Sequence, residues 1–226
     1  MKFSVIVFDV NETLSDMSPM GQRFVEVGAP AHLAKLWFAT LLRDGFALTA
    51  AGDNGTFAGI GAEALRGLFT GMELNMDTDS AAQHVMAGLS SLGLHADVAD
   101  GVKVLHAAGY RLVTLTNGST QVAEKLFTDA GIRDSFELLL SVEDAPAWKP
   151  GKAAYEYAAT ACGTAPGQML LVAVHPWDIH GASRAGLATA WINRTGGPYP
   201  DYFRAPDYTI SALPDLAPAL TSEAEV

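Results

Sequence analysis

Four side chains, far apart in the sequence, carry complementary chemistry. Asp9 is a carboxylate that could attack an electrophilic carbon or phosphorus and form an ester intermediate. Thr13, four residues later, could hold that carboxylate or a hydrolytic water through its hydroxyl. Lys149 would keep Asp9 ionised and offset the charge of an anionic substrate. Asp178 could anchor Lys149 and orient the water that cleaves the ester.

A second group of polar and aromatic residues accompanies these four. Thr116 and Asn117 offer donors for substrate oxygens or for a departing anion. His175 carries an imidazole, a group that can take a proton from water near neutral pH, although a purely structural hydrogen bond explains it equally well. Trp177 and Tyr155, taken alone, are typical of a core or a pocket wall. The functional interpretation therefore depends on the joint occurrence of these residues.

The strands that must position these residues are short apolar runs. Continuous β-branched stretches are typical of strands buried on both faces of a parallel sheet. Such stretches occupy residues 3–8, 111–116, 137–141, 169–174 and 188–193. The candidate residues follow them, and ligands of open α/β sheets bind beyond the carboxyl ends of the strands. The predicted fold is therefore α/β, with a doubly wound parallel sheet.

Helical patterns separate the strands and fill a long insert. Between the later strands, helices are predicted at residues 100–109 (with Asp100 as the cap), 120–130, 153–161 and 179–185. Residues 15–97 show helical periodicity at 32–42, 61–68 and 81–92, with no convincing strand. The pattern predicts an α/β core at residues 1–14 and 98–226 and a helical cap subdomain at 15–97. A last helix is predicted from about Asp215 to the C-terminus.

Composition limits the classes of partner. The chain has 226 residues, with 14 Lys and Arg against 25 Asp and Glu, a formal charge of −11 and a pI near 4.8. This charge disfavours binding to nucleic acid or to an anionic membrane. Cys162 is the single cysteine, which excludes an intrachain disulfide and a thiolate cluster. Neither a signal peptide nor an apolar run of about 18 residues occurs, so a soluble, cytoplasmic protein is expected.

The motifs resemble those of the haloacid dehalogenase superfamily of hydrolases over nearly the whole chain. The four superfamily motifs are similar to Asp9-x-x-x-Thr13, Thr116-Asn117-Gly118, Lys149-Pro150 and Trp177-Asp178. Within the superfamily, the chain most resembles the (S)-2-haloacid dehalogenases. Their pattern is also matched by Ser119, by Tyr155 five residues after Pro150, and by residues 191–196.

Two features favour carbon–halogen cleavage over phosphoryl transfer. Superfamily phosphatases usually carry a second Asp two residues after the nucleophile, to protonate the leaving alkoxide. This chain has Asn11, whose amide cannot act as a general acid, whereas a halide leaves without a proton. The fourth motif also has only Asp178 where the phosphatases have an additional carboxylate for Mg²⁺. We therefore expect no metal and no other cofactor.

The chain departs from the dehalogenase pattern near the halogen and the water. Phe38 follows Trp37 where that group has an Arg that assists the halide, and Arg43 should face another side of the helix. Asn11 and Glu12 stand where that group usually has Tyr and Gly. Ala173 and His175 replace a Ser and an Asn near the hydrolytic water. The last of these replacements suggests that an imidazole takes over as the base that activates water.

The resemblance implies a metal-independent hydrolase that converts short (S)-2-haloacids to (R)-2-hydroxyacids plus halide through an aspartyl ester. The catalytic residues it implies are Asp9, Thr13, Lys149, Asp178 and His175. The substrate-binding residues it implies are Val10, Asn11, Phe38, Thr116, Asn117, Tyr155 and Trp177. It also implies a homodimer. Two alternatives remain open: a Mg²⁺-dependent phosphatase or other hydrolase of a small anion, and a non-catalytic relative that binds an anion or a partner.

Overall fold

Strands alternate with helices along most of the chain in the computed structural model, which describes residues 3–222. The strands are β1 (Val5–Phe8), β2 (Ser15–Asp16), β3 (Gly93–Leu94), β4 (Arg111–Thr116), β5 (Phe136–Ser141), β6 (Met169–Ala173), β7 (Ala188–Ile192) and β8 (Tyr208–Ile210). Six of them form one parallel sheet in the order β5-β4-β1-β6-β7-β8. The predicted parallel α/β sheet is confirmed.

The central strand β1 divides the core into two layers. Its side chains alternate between the sheet faces, because successive residues of a strand point in opposite directions. Val5 and Val7 belong to the cluster that continues into the insert, whereas Ile6 and Phe8 belong to the cluster on the other face. Burial on both faces explains the uninterrupted apolar run of this strand, and it fixes the position at which Asp9 leaves the sheet.

The helices lie close to their predicted positions, apart from a first helix, Met20–Glu26, that the sequence pattern did not predict. They are α1 (Met20–Glu26), α2 (Leu33–Ala51), α3 (Phe57–Phe69), α4 (Thr78–Gly88), α5 (Val98–Ala107), α6 (Thr120–Asp129), α7 (Lys152–Cys162), α8 (Pro176–Ala185) and α9 (Leu216–Ser222). Asp100 lies in the first turn of α5 and is not its cap, so that detail of the prediction is wrong. The predicted C-terminal helix is described up to Ser222, and residues 223–226 lie outside the described range.

No helix within residues 3–222 combines the length and the apolarity that crossing a bilayer requires.

The insert, residues 15–97, contains α1 to α4 and a small ribbon at its two ends. Ser15 pairs with Leu94 and Asp16 with Gly93 in antiparallel β2 and β3. The prediction of no convincing strand in this segment is wrong, because a two-residue strand is too short to show alternation. β8 was missed for a similar reason, since it has only three residues. The division into core and cap at these boundaries stays a prediction.

Trp148 fastens the insert to the core. Its indole Nε1 donates a hydrogen bond to the Gly55 carbonyl, and its backbone N–H donates to the Thr49 hydroxyl. The indole also stacks on Phe57, with the ring centroids 6.2 Å apart and the planes 9° from parallel. Because Trp148 directly precedes Lys149, the contact between insert and core lies next to a candidate catalytic residue.

Candidate active site

Asp9 is buried and both of its carboxylate oxygens are held. The residue follows β1, its backbone N–H donates to the Val172 carbonyl, and it is only 3% exposed. Oδ1 lies 2.8 Å from the Lys149 ammonium, and Oδ2 accepts a 2.6 Å hydrogen bond from the Thr13 hydroxyl. The Thr13 oxygen in turn accepts from the backbone N–H of Val174. The Asp9 carboxylate is therefore oriented by groups from separate segments.

Lys149 stands between two buried carboxylates. It is 0% exposed, and its Nζ lies 2.6 Å from Asp178 Oδ2 as well as 2.8 Å from Asp9 Oδ1. The Tyr155 hydroxyl donates a 2.6 Å hydrogen bond to the other oxygen of Asp178. One cation thus serves two acids, and the buried cluster carries a surplus negative charge when both acids are ionised.

This arrangement shifts the pKa values of the three charged groups. Burial opposes ionisation of Asp9, but the Lys149 charge, the His175 ring and the hydrogen bonds outweigh it and lower the Asp9 pKa. Burial also disfavours charged Lys149, but the nearby charges of Asp178 and Asp9 raise the Lys149 pKa above its ordinary value. Burial, together with the charge of Asp9, raises the pKa of Asp178 in spite of Lys149. Asp9 is thus the more acidic of the two carboxyl groups.

The residues after β4 hold the lysine loop. The Asn117 side chain donates to the Lys149 carbonyl and accepts from the Lys149 backbone N–H, at 3.2 and 3.0 Å. Its amide is therefore occupied by backbone. The Thr116 oxygen accepts from the backbone N–H of Gly118, which leaves the Thr116 hydroxyl proton available to a ligand.

His175 lies beside the Asp9 carboxylate. Its Nε2 is 3.6 Å from Asp9 Oδ2, 3.7 Å from Glu12 Oε2 and 3.2 Å from the Asn11 carbonyl. The carbonyl contact requires the proton on Nε2, whereas taking a proton from water requires that nitrogen to be free. The ring stacks on Trp177 with the centroids 4.8 Å apart. The imidazole is therefore confined beside the Asp9 carboxylate.

Glu12 is a residue whose importance the sequence analysis missed. Within residues 3–222 it is the one non-glycine residue with a positive φ, of 61°. Side chains rarely adopt this left-handed conformation, and a residue held in it is a candidate for function. Its carboxylate is 43% exposed and faces His175. The signal was a glutamate at the place where the dehalogenase pattern has glycine.

A cavity of about 710 Å³ separates the insert from the core beside His175. Its lining includes Phe38, and the Phe38 and His175 ring centroids lie 6.4 Å apart. Arg43 lies elsewhere, since it is 70% exposed and pairs with Asp44, in agreement with the expectation that it faces another side of the helix. Among charged cavity residues, Lys35 has no ion-pair or hydrogen-bond partner within residues 3–222.

A second cavity of about 480 Å³ lies on the other side of the residues that follow Asp9. Val10, Asn11 and Thr116 line it from the core, and Phe57 lines it from the insert. Of the predicted binding residues, Phe38 therefore lines the first cavity, and Val10, Asn11 and Thr116 line the second. The other three, which are Asn117, Tyr155 and Trp177, line neither of these two cavities.

No group of three or more His, Cys, Asp or Glu side chains within residues 3–222 is placed to hold a metal ion. The expectation of metal independence stays a prediction.

Comparison with known proteins agrees with the motifs. The model of a haloacid dehalogenase-like hydrolase family matches residues 3–186. An (S)-2-haloacid dehalogenase from Pseudomonas sp. (strain YL) is 31% identical over 211 residues, which cover 92% of this chain and 90% of that protein. Haloacetate dehalogenase H-2 from Moraxella sp. (strain B) is 30% identical over 214 residues, covering 94% and 95%. A solved L-2-haloacid dehalogenase superposes with a TM-score of 0.89 at 27% identity, over 98% of this chain and 100% of that chain. The predicted resemblance is confirmed.

Proposed function

Because the chain belongs to the haloacid dehalogenase-like hydrolase family, we propose that it is a hydrolytic dehalogenase of short (S)-2-haloacids. The products are the (R)-2-hydroxyacid and a halide ion, and the intermediate is an ester of Asp9. The observation that carries the proposal is the buried Asp9 carboxylate, which the Lys149 ammonium 2.8 Å away keeps ionised. The dehalogenase names of the similar proteins support the same reaction.

In the first half-reaction, a carboxylate oxygen of Asp9 attacks C2 of the haloacid from the side opposite the halogen. The new C–O bond forms as the carbon–halogen bond breaks, the halide leaves with the bonding electrons, and C2 inverts. Lys149 and Thr13 fix the carboxylate, so little orientational freedom is lost on the way to the transition state. No proton moves in this step, so the amide of Asn11 is no obstacle.

In the second half-reaction, a water attacks Cγ of the Asp9 ester. His175 accepts the water proton in the tautomer that carries its proton on Nδ1, which gives up the contact with the Asn11 carbonyl. Its Nε2 lies 3.6 Å from Asp9 Oδ2, so a water beside Cγ is within its reach. The Glu12 carboxylate, 3.7 Å from the same nitrogen, stabilises the imidazolium that forms. The bond between Cγ and the substrate oxygen then breaks, and the alkoxide takes the proton, so the configuration of C2 stays inverted.

The substrate carboxylate is assigned to the backbone amides of Val10 and Asn11. Thr116 supports this assignment, since its hydroxyl proton is available beside them. Lys149 offsets the added negative charge. The halogen is assigned to the apolar side of the site, where Phe38 lies.

Three of the predicted binding residues are assigned indirect roles or walls. The Asn117 side chain forms hydrogen bonds with the Lys149 backbone. Its assigned role, beside the halogen, is therefore mainly to hold Lys149 in position. Tyr155 is bonded to Asp178 and steadies the second carboxylate. Trp177 forms a wall, since it stacks on His175 and its ring centroid lies 5.9 Å from the Lys149 ammonium.

The assembly and setting of the protein are also proposed from the sequence. Residues 15–97 act as a cap that covers the site, the chain forms a homodimer, and it works in the cytoplasm. Light scattering of the purified protein tests the homodimer, and fractionation of the source cells tests the location.

Halide release and isotope incorporation test the reaction. The enzyme should release chloride from (S)-2-chloropropionate, but not from the (R) isomer, with or without EDTA. A single turnover in ¹⁸O-labelled water should place the isotope in the Asp9 carboxylate. Asp9→Asn should abolish halide release, while Asp53→Asn, at an exposed carboxylate, should not. Chelator-sensitive hydrolysis of an aryl phosphate would instead indicate the phosphatase, and anion binding without turnover of either substrate would indicate a non-catalytic relative.

A further inference from the structure

We infer that His95 is a positioning residue for hydrolysis of the ester. Its imidazole holds the strained turn that presents the Glu12 carboxylate to His175. The inference rests on the proposed function, and it adds a residue from the insert to the hydrolytic half of the reaction.

Two hydrogen bonds attach His95 to the segment that follows the nucleophile. Its Nε2 lies 2.9 Å from the Glu12 carbonyl, and its backbone N–H donates to the Leu14 carbonyl at 3.0 Å. Because a carbonyl only accepts, Nε2 must carry the proton in this contact, whether the ring is neutral or charged. His95 therefore forms hydrogen bonds with the residues on both sides of Thr13.

One of these hydrogen bonds restrains Glu12, whose backbone conformation is strained. The left-handed conformation of Glu12, with φ of 61°, is unfavourable for a non-glycine residue and persists only when the surroundings enforce it. The Glu12 side chain reaches only one partner among the described residues, His175, at a long 3.7 Å. The bond from His95 to the Glu12 carbonyl is the shorter contact, so it is the stronger restraint on the turn.

The position of His95 in the chain shows which parts of the molecule this restraint connects. His95 follows β3, where the insert returns to the core, and β2 pairs with β3 just beyond the bond to Leu14. The imidazole therefore connects the base of the insert to the turn that carries Glu12. The side-chain contacts among Asp9, Thr13 and Lys149 do not include His95, so we expect ester formation to depend on it much less than ester hydrolysis does.

Separate measurement of the two half-reactions tests the inference. Rapid quench with (S)-2-chloropropionate gives the rate of the first halide release, and intact mass spectrometry gives the amount of ester. His95→Ala should slow ester hydrolysis about 10- to 100-fold, as expected for a small displacement of a catalytic group. The first halide release should stay within about twofold of wild type, so the ester should accumulate.

Two further variants separate positioning from folding. Gln can place an amide nitrogen near the position of Nε2, whereas Asn is one methylene shorter. His95→Gln should therefore hydrolyse the ester at least tenfold faster than His95→Asn, and this comparison decides the matter if His95→Ala does not fold. His106→Gln, at an exposed histidine of α5, should match wild type.

The outcomes distinguish this inference from the proposed function. Equal hydrolysis rates for the Gln and Asn variants, or an equal loss in both half-reactions, would overturn the role of His95. Failure of the wild-type protein to form an ester would instead overturn the proposed function itself.

Discussion

Asp178 holds the Lys149 ammonium at 2.6 Å, closer than the 2.8 Å that separates the same nitrogen from Asp9. The second carboxylate therefore serves as the firm anchor of the lysine. Tyr155 donates to the far oxygen of Asp178 and keeps that anchor in place. All four side chains are buried, so the Asp9 carboxylate is held by a network that is inaccessible to solvent.

Lys149→Met should lower both the stability of the fold and the rate of halide release. The change leaves two buried carboxylates without their cation, and breaking such a pair costs about 3–5 kcal/mol of unfolding free energy. Halide release should fall about 100- to 1000-fold. Urea unfolding and chloride release measure the two effects. Lys103→Met, at an exposed lysine of α5, is the matched control. Asp178→Asn in the Lys149→Met background should recover part of the lost stability, and no recovery would contradict the repulsion.

The pKa shifts predict a broad pH range for ester formation. The active form needs Asp9 ionised and Lys149 charged. The Asp9 pKa is lowered, so ionisation persists below the ordinary carboxyl value of about 4. The Lys149 pKa is raised, so its charge persists above about 10. The rate of the first halide release, measured after a pH jump, should therefore be flat between these values.

The Lys149→Met variant tests whether Lys149 lowers the pKa of Asp9. Without the ammonium, burial acts on Asp9 with less opposition and raises its pKa. The acid limb of the variant should move to higher pH. An acid limb at the wild-type position would show that Lys149 does not keep the nucleophile ionised.

The convergence of the charged site residues could be predicted from the sequence, because they follow buried strands. Asp9 follows β1, and His175 and Asp178 come after β6; parallel order brings these ends to one edge. The apolar runs were long enough to locate those strands. Lys149 was predicted in the same way, because it follows β5 across a short loop.

The supporting contacts could not be predicted, because they depend on local backbone geometry and on the insert. Glutamate seldom adopts a positive φ, so the one signal for this conformation at Glu12 was the glycine that the dehalogenase pattern has at that place. The bond from His95 to Glu12 joins residues 83 positions apart through a two-residue ribbon. The bonds that the Asn117 amide makes to the lysine loop were not predicted, and its contact with the substrate stays a prediction.

Lys35 should assist capture of the anionic substrate. It lines the cavity beside Phe38 and His175, and in the described part of the chain it has no partner, within a protein of net charge −11. A cation at the mouth of a cleft raises the association rate of anions, and salt screens the effect. Lys35→Gln should lower kcat/KM about two- to fivefold at low ionic strength with kcat unchanged. Lys103→Gln should have no effect, and an equal loss in high salt would argue against steering.

Gly45→Ala should test the fastening of the insert at Trp148. Alanine in the middle of a helix is ordinarily favoured over glycine by about 1 kcal/mol. At Gly45 in α2, however, an added Cβ would lie 2.5 Å from the Trp148 ring, and such overpacking costs about 1–3 kcal/mol. Gly67→Ala in α3 meets no atom within 4 Å, so it should stabilise by up to about 1 kcal/mol.

The two glycine variants should therefore shift the unfolding free energy in opposite directions, as measured by urea denaturation. Only Gly45→Ala should also reduce halide release, because Trp148 directly precedes Lys149 and a displaced indole moves the lysine loop. If Gly45→Ala unfolds at higher urea than wild type and keeps full activity, the indole has room to move. In that case Trp148 does not set the position of the lysine, and the bonds from Asn117 to the Lys149 backbone are sufficient to hold the loop.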